Sequence, residues 1–97
     1  MISSFGNTLA EDMFNGLKTK NTLKFPPELH KTARRKLFYL NDAESLIDLK
    51  TPPGNRLEQL KGSFKGFYSI RINDQFRIIF RWINNMAYEV SILDYHN

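Results

Sequence analysis

The second half of the chain is built from short runs in which apolar and polar residues alternate. In "FYSIRIND" the residues Tyr68, Ile70 and Ile72 alternate with polar ones, and "RIIFRWIN" and "AYEVSILDYH" provide two further runs of strand-forming residues. Because side chains of a β-strand point alternately to opposite faces, these runs predict three strands. The connections "NDQ" and "INNMA" contain Asn and Asp, which tolerate the backbone of tight hairpin turns. The pattern therefore predicts an antiparallel β-meander.

The first half of the chain has the period of a helix instead. "GNTLAEDMFNG" is bracketed by Asn7 or Thr8 as an N-cap and by Gly16 as a stop. "PPELHKTARRKLFYLNDA" starts at Pro27 and repeats apolar residues three and four apart, and "AESLIDLK" adds a turn or two of helix before "TPPGN" ends it. Helices followed by a meander predict an α+β fold, with the N-terminal helices packed on one face of a small antiparallel sheet. At 97 residues we expect a single domain, residues 1–97.

Composition excludes several kinds of chemistry. The chain has no cysteine and only two histidines, which excludes disulfides, thiolate metal sites and a cysteine nucleophile. It has no apolar run long enough to span a membrane and no leader typical of secretion, so we expect a cytoplasmic protein without membrane association. The net charge of +4 favours phosphate-rich partners but is spread evenly along the chain. Any anion site must therefore be assembled by folding.

Two arginines stand out on the polar face of the predicted sheet. Arg71 and Arg77 lie on neighbouring strands joined by a tight turn, which should bring them together on a face open to solvent. Two guanidinium groups repel each other, and a bound phosphate would offset that repulsion, since its oxygens match the planar fork of arginine. Alternatively, both arginines are ordinary exposed residues that pair with local carboxylates such as Asp74 and Glu89.

Two further segments could complete an anion site. "PPGNRLEQLKGSFKG" is either a solvated surface loop or a source of RNA-binding residues, namely Arg56, Glu58, Lys61 and Lys65. The last predicted strand runs into the triplet "DYH", one residue before the final Asn97. If that strand is central in the sheet, it holds a carboxylate, a phenol and an imidazole near the arginines.

The order of "RRKL", "PPGNRLEQLKG", "YSIRINDQFRIIFRW" and the terminal "DYH" resembles the HigB group of the RelE/ParE toxin superfamily, over nearly the whole chain. The resemblance implies a RelE-like microbial RNase fold and a ribosome-dependent endoribonuclease that cleaves mRNA in the A site without metal or cofactor. It also implies a HigA-like helix-turn-helix antitoxin as partner, besides the ribosome and mRNA. Operator DNA would be bound only through the antitoxin.

Position by position, the resemblance implies a catalytic set of Arg71, Arg77, Asp94, Tyr95 and His96. Arginine can stabilise the charge of a phosphorane, and imidazole is suited to proton transfer at neutral pH. A relative has histidine where this chain has Glu58, and arginine where it has Asn73, so the resemblance does not assign the general base. Two other functions fit the same scaffold: a ParE-like toxin that binds DNA gyrase without catalysis, and a degenerate module that only binds an antitoxin. Neither needs His96.

Overall fold

The computed structural model describes residues 1–95. Its helices and strands, in chain order, are α1 (Thr8–Asn15), α2 (Lys20–Lys24), α3 (His30–Asp42), β1 (Glu58–Gln59), β2 (Tyr68–Arg71), β3 (Phe76–Ile83) and β4 (Met86–Asp94). Short 3₁₀ turns occupy Pro27–Leu29, Leu46–Lys50, Pro53–Asn55 and Gly62–Phe64. The strands form one antiparallel sheet in the order β1-β2-β3-β4. The predicted α+β architecture is confirmed, and α2 is an element that the sequence pattern did not predict.

The helix ends follow the local chemistry of their caps. The side chain of Asn7 accepts a hydrogen bond from the Ala10 amide at 3.0 Å, which makes Asn7 the N-cap of α1. Gly16 ends this helix in the left-handed conformation, with φ of 69°. Thr19 and Thr22 form a reciprocal capping box that begins α2. No helix within residues 1–95 is long and apolar enough to cross a membrane.

The main core lies between the helices and one face of the sheet. Helix α3 directs Ala33, Leu37 and Leu40 inward, and all three are fully buried. They pack in one cluster with the buried strand residues Ile70, Ile78, Phe80, Val90 and Ile92, and with Ile72, which directly follows β2. Burying a leucine side chain contributes roughly 1.5–3 kcal/mol relative to leaving it exposed. This apolar layer therefore holds one face of the sheet against the helices, so that the opposite, more polar face points away from them.

The N-terminal segment covers the outer edge of β4. Ile2 and Phe5 form parallel bridges to Ala87 and Val90. At Gly6 the two segments approach so closely that an added Cβ would lie 2.3 and 2.7 Å from atoms of β4. An uncovered edge strand is a template for pairing with other chains, so this segment protects the sheet on that side.

Both predicted hairpin turns form for the expected reason. Asn84 and Asn85 have φ angles of 51° and 61°, the left-handed pair required by a type I′ turn between β3 and β4. In the turn between β2 and β3, the side chain of Asn73 accepts hydrogen bonds from the amides of Gln75 and Phe76. These turns set the register of β2 against β3 and begin that of β3 against β4, which is interrupted by a bulge between Ile79 and Arg81.

Candidate functional site: an arginine pair and the segment that covers it

Arg71 and Arg77 are direct partners in the register of β2 and β3. Directly opposed residues of an antiparallel pair place their side chains on the same face of the sheet. The prediction that the hairpin brings the two arginines together is therefore confirmed.

Arg71 is the accessible member of the pair. Its guanidinium pairs with the carboxylate of Asp74, and 29% of its side chain is exposed, against 99% for Asp74. Asp74, which the sequence suggested as an alternative partner, thus does form an ion pair with Arg71. Exposed ion pairs are weak, about 0–1 kcal/mol, so a phosphate can displace Asp74 from Arg71 at small cost.

Arg77 is buried, and the prediction that it lies on an open face is wrong. Only 8% of the residue is exposed. Its Nε donates to the Ser69 hydroxyl at 2.7 Å, and a terminal nitrogen donates to the Arg56 carbonyl at 2.6 Å. Burial lowers the pKa of Arg77, while the neighbouring Glu58 carboxylate and Tyr95 side chain oppose that shift. Arg77 is therefore a structural hydrogen-bonding centre as well as a source of positive charge.

The cover over Arg77 comes from residues 56–67. This segment leaves the 3₁₀ turn at Arg56 in the left-handed conformation, with φ of 45°, and pairs with β2 through the two residues of β1. The Phe67 ring then lies under the Arg81 guanidinium, 4.2 Å from the ring centroid. Leu60 and Ile79 are buried outside the main apolar cluster. The face opposite the helices is thus partly covered, which explains the burial of Arg77.

Glu58 and Tyr95 border the arginine pair. A carboxylate oxygen of Glu58 lies 4.0 Å from a terminal nitrogen of Arg77, and its side chain is 54% exposed. The amide of Tyr95 donates to the Gln75 carbonyl at 2.7 Å, and its ring meets that of Phe64 edge-on at 5.9 Å. The structure therefore brings an accessible carboxylate and a phenol that packs on Phe64 to the edge of a cationic centre.

Asp94, another member of the predicted catalytic set, lies at the end of β4. Asp94 pairs with Phe76 in the strand register, and its carboxylate accepts a hydrogen bond from the Gln75 side chain at 2.9 Å. By strand alternation Asp94 lies on the same side as Ile92, which is in the core. His96 lies outside the described residues, and its catalytic role stays a prediction. Among residues 1–95, no group of three His, Cys, Asp or Glu side chains converges as metal ligands would.

The other basic residues proposed for RNA binding are exposed. The carbonyl of Arg56 accepts a hydrogen bond from Arg77, and the side chain of Arg56 is exposed. Lys61 and Lys65 line a cavity of about 310 Å³ with Gln59, Leu60, Gly62 and Gly66. Arg56, Lys61 and Lys65 all lie on the covering segment, residues 56–67. Their role in RNA binding stays a prediction.

Lys36 is a charged residue near this site that the sequence analysis missed. It lies on α3, is only 6% exposed, and its ammonium contacts the Gly54 carbonyl at 3.5 Å. Burial lowers the pKa of Lys36, and the positive charges of Arg35, Arg71 and Arg77 lower it further. The burial of Lys36 could have been predicted from the helical spacing. Position 36 is three residues after Ala33 and four before Leu40, and both of these lie on the apolar face of the helix.

Fold and site together define a class of small α+β proteins that carry paired arginines on an antiparallel sheet, beside the end of its last strand. The HigB-like toxin family model, described as the RelE-like toxin of the type II toxin-antitoxin system HigB, matches residues 3–96. The chain therefore belongs to the HigB-like toxin family.

Individual relatives agree with this assignment. The chain is similar to Toxin HigB-1 of Vibrio cholerae serotype O1, with 44% identity over 71 residues, which is 73% of this chain and 74% of the relative. It is 36% identical over 63 residues to Endoribonuclease HigB of Proteus vulgaris, covering 59% of this chain and 68% of the relative.

A solved structure of a YoeB-YefM complex from Staphylococcus aureus contains a similar chain, with a TM-score of 0.60 and 18% identity. That match covers 100% of this chain and 99% of the other. At this level of identity it shows a shared fold.

Proposed function

We propose that the protein is the toxin of a type II pair and acts as a ribosome-dependent endoribonuclease that cleaves mRNA in the A site. The register pairing of Arg71 with Arg77, with the Glu58 carboxylate 4.0 Å from Arg77, is the observation that supports this function most directly. A relative that carries the name Endoribonuclease HigB supports RNase activity in the family.

The reaction needs only groups found in this chain and in RNA. The 2′-hydroxyl attacks the neighbouring phosphorus, forming a bond to the 2′-oxygen and breaking the bond to the 5′-oxygen, which leaves a 2′,3′-cyclic phosphate and a 5′-hydroxyl. Glu58 accepts the proton of the 2′-hydroxyl, and His96 donates a proton to the departing 5′-oxygen. Arg71 binds the phosphate oxygens, and the nearby charge of Arg77 stabilises the phosphorane. Tyr95 stacks on or orients a base.

A helix-turn-helix antitoxin of the HigA type is the proposed protein partner. The similar chain in the YoeB-YefM structure was solved in a complex with its partner, which supports an antitoxin for this chain as well. The net charge of +4 is modest, so we infer that affinity for free RNA is low and that the ribosome presents the mRNA. Operator DNA is contacted through the antitoxin.

The test is single-turnover cleavage of mRNA in programmed ribosomes, compared with the same mRNA free in solution. We expect efficient cleavage only on the ribosome, and a loss of at least about tenfold in rate for Arg71→Ala, because one charge-stabilising contact is removed. Lys31→Ala, on an exposed position of α3, is the control and should cleave at the parental rate.

Equal cleavage of free and ribosome-bound mRNA would contradict ribosome dependence. Absence of cleavage in both, together with growth arrest in cells, would favour the gyrase-binding alternative. Absence of both cleavage and growth arrest, with antitoxin binding retained, would favour the degenerate module.

A further inference from the structure

Lys36 is in an unfavourable position for a charged side chain. The residue is 6% exposed, and within residues 1–95 its ammonium donates one hydrogen bond, at the long distance of 3.5 Å, to the Gly54 carbonyl. Within residues 1–95 no carboxylate lies within ion-pairing distance of it. A buried ammonium without a negative partner lowers the stability of the folded state.

The surroundings of Lys36 increase this cost. The positive charges of Arg35, Arg71 and Arg77 lower the pKa of Lys36 further and so oppose its protonated form. A methionine would fill nearly the same volume with its apolar stem and avoid both desolvation and repulsion. Packing alone therefore gives no reason for a cation here. An anion bound nearby would attract the ammonium and the guanidinium groups and so offset their mutual repulsion.

Lys36 and Arg77 are also linked through one short stretch of backbone. Lys36 contacts the carbonyl of Gly54, and Arg77 donates to the carbonyl of Arg56, two residues further on. Asn55, between them, is fully buried and its amide donates to the Leu49 carbonyl at 3.1 Å. The two cations therefore contact the same turn, one from α3 and one from β3.

We propose that Lys36 is a buried third cation of an anion-binding centre formed with Arg71 and Arg77, and that the anion is a phosphate group of the RNA backbone. This inference rests on the proposed function and adds a residue to its site. Lys36 acts through space and through the turn at Gly54, as a positioning residue: Arg71 makes the exposed contact, and Lys36 raises the positive potential beneath it.

If Lys36 serves anion binding, removal of its charge should weaken phosphate binding without lowering the stability of the fold. A purely structural role would lower the stability. We expect Lys36→Met to weaken the binding of inorganic phosphate about tenfold, a size typical of one close charge interaction under partial screening. The same variant should melt at the parental temperature or above it, because an unpaired buried charge is removed. Lys36→Arg should bind phosphate within about threefold of the parent, since it keeps the positive charge.

The experiment is a titration of the full chain with inorganic phosphate at low ionic strength, followed by NMR and calorimetry, beside thermal melts of each variant. Lys31→Met is the matched control: it removes the same charge from an exposed position of the same helix and should bind like the parent. Parental phosphate affinity in Lys36→Met would overturn the inference. So would a clear fall in its melting temperature, which would make Lys36 a structural anchor.

The outcome for Arg71→Ala separates this inference from the proposed function. If Arg71→Ala loses phosphate binding and ribosomal cleavage while Lys36→Met keeps both, only the role of Lys36 is refuted. If Arg71→Ala keeps both, the arginine pair is not the reactive site, so the assignment of the site and the inference fail together while the proposed cleavage activity itself stands.

Discussion

Arg77→Ala should destabilise the domain far more than Arg71→Ala, although the two arginines are register partners. The difference arises from burial. Arg77 is 8% exposed and bonds to the Ser69 hydroxyl and the Arg56 carbonyl, whereas Arg71 keeps 29% of its side chain exposed and pairs with a fully solvated carboxylate.

The magnitude follows from the bonds that are lost. Hydrogen bonds from a charged donor contribute about 1.5–3 kcal/mol each, and a buried acceptor left without a donor costs about 1–3 kcal/mol. Ser69 is fully buried, so its hydroxyl would lose its partner away from water. Relief of the desolvation of Arg77 offsets part of this loss. We therefore expect a net loss of about 3 kcal/mol, which lowers the melting temperature of a domain of this size by about 12–24 °C.

The assay is thermal unfolding followed by circular dichroism, with urea unfolding to give the free energy directly. Arg71→Ala is the matched control and should lower stability by no more than about 1 kcal/mol, or about 4–8 °C. Arg77→Lys, which keeps the charge but cannot form the same fork of hydrogen bonds, should fall between the two.

A melting temperature of Arg77→Ala within about 3 °C of that of Arg71→Ala would refute the reasoning. That result would mean that the bonds to Ser69 and Arg56 contribute nothing net to stability. Cleavage measurements on Arg77 variants must accordingly be made well below their melting temperatures, because lost activity could otherwise reflect unfolding.

Three other substitutions probe the site. Asp74→Asn should raise affinity for inorganic phosphate about two- to fivefold in an NMR titration, because it removes the carboxylate that competes for Arg71. Unchanged affinity would show that the Arg71–Asp74 ion pair does not limit phosphate binding. Glu58→Gln should lower single-turnover cleavage at least about 100-fold with little change in melting temperature, since the half-exposed carboxylate is the proposed base; parental cleavage would assign that role elsewhere. His96→Gln should lower cleavage by a similar factor of about 100, and removal of residues 95–97 should abolish cleavage while antitoxin binding persists in a pull-down. Parental cleavage by His96→Gln would leave the terminal histidine without a catalytic role.

The sequence by itself determined the features that depend on a few neighbouring residues. The cap at Asn7, the stop at Gly16 and the paired asparagines of the β3–β4 turn all form as predicted. In each case the backbone conformation is set by the residue itself or by a side chain within three positions. The adjacency of Arg71 and Arg77 was predictable for a related reason, because a tight hairpin fixes which residues oppose each other.

Only the tertiary structure decided which of those arginines is accessible. Alternation in β3 identifies the face on which Arg77 lies but not what covers that face, and residues 56–67 cover it through the β1 pairing and the Phe67–Arg81 contact. The same holds for Lys36, whose environment depends on the turn at Gly54 and on strands more than 30 positions away in the chain. Burial and electrostatic coupling are sums over atoms that are distant in sequence, so the pattern of one segment cannot determine them.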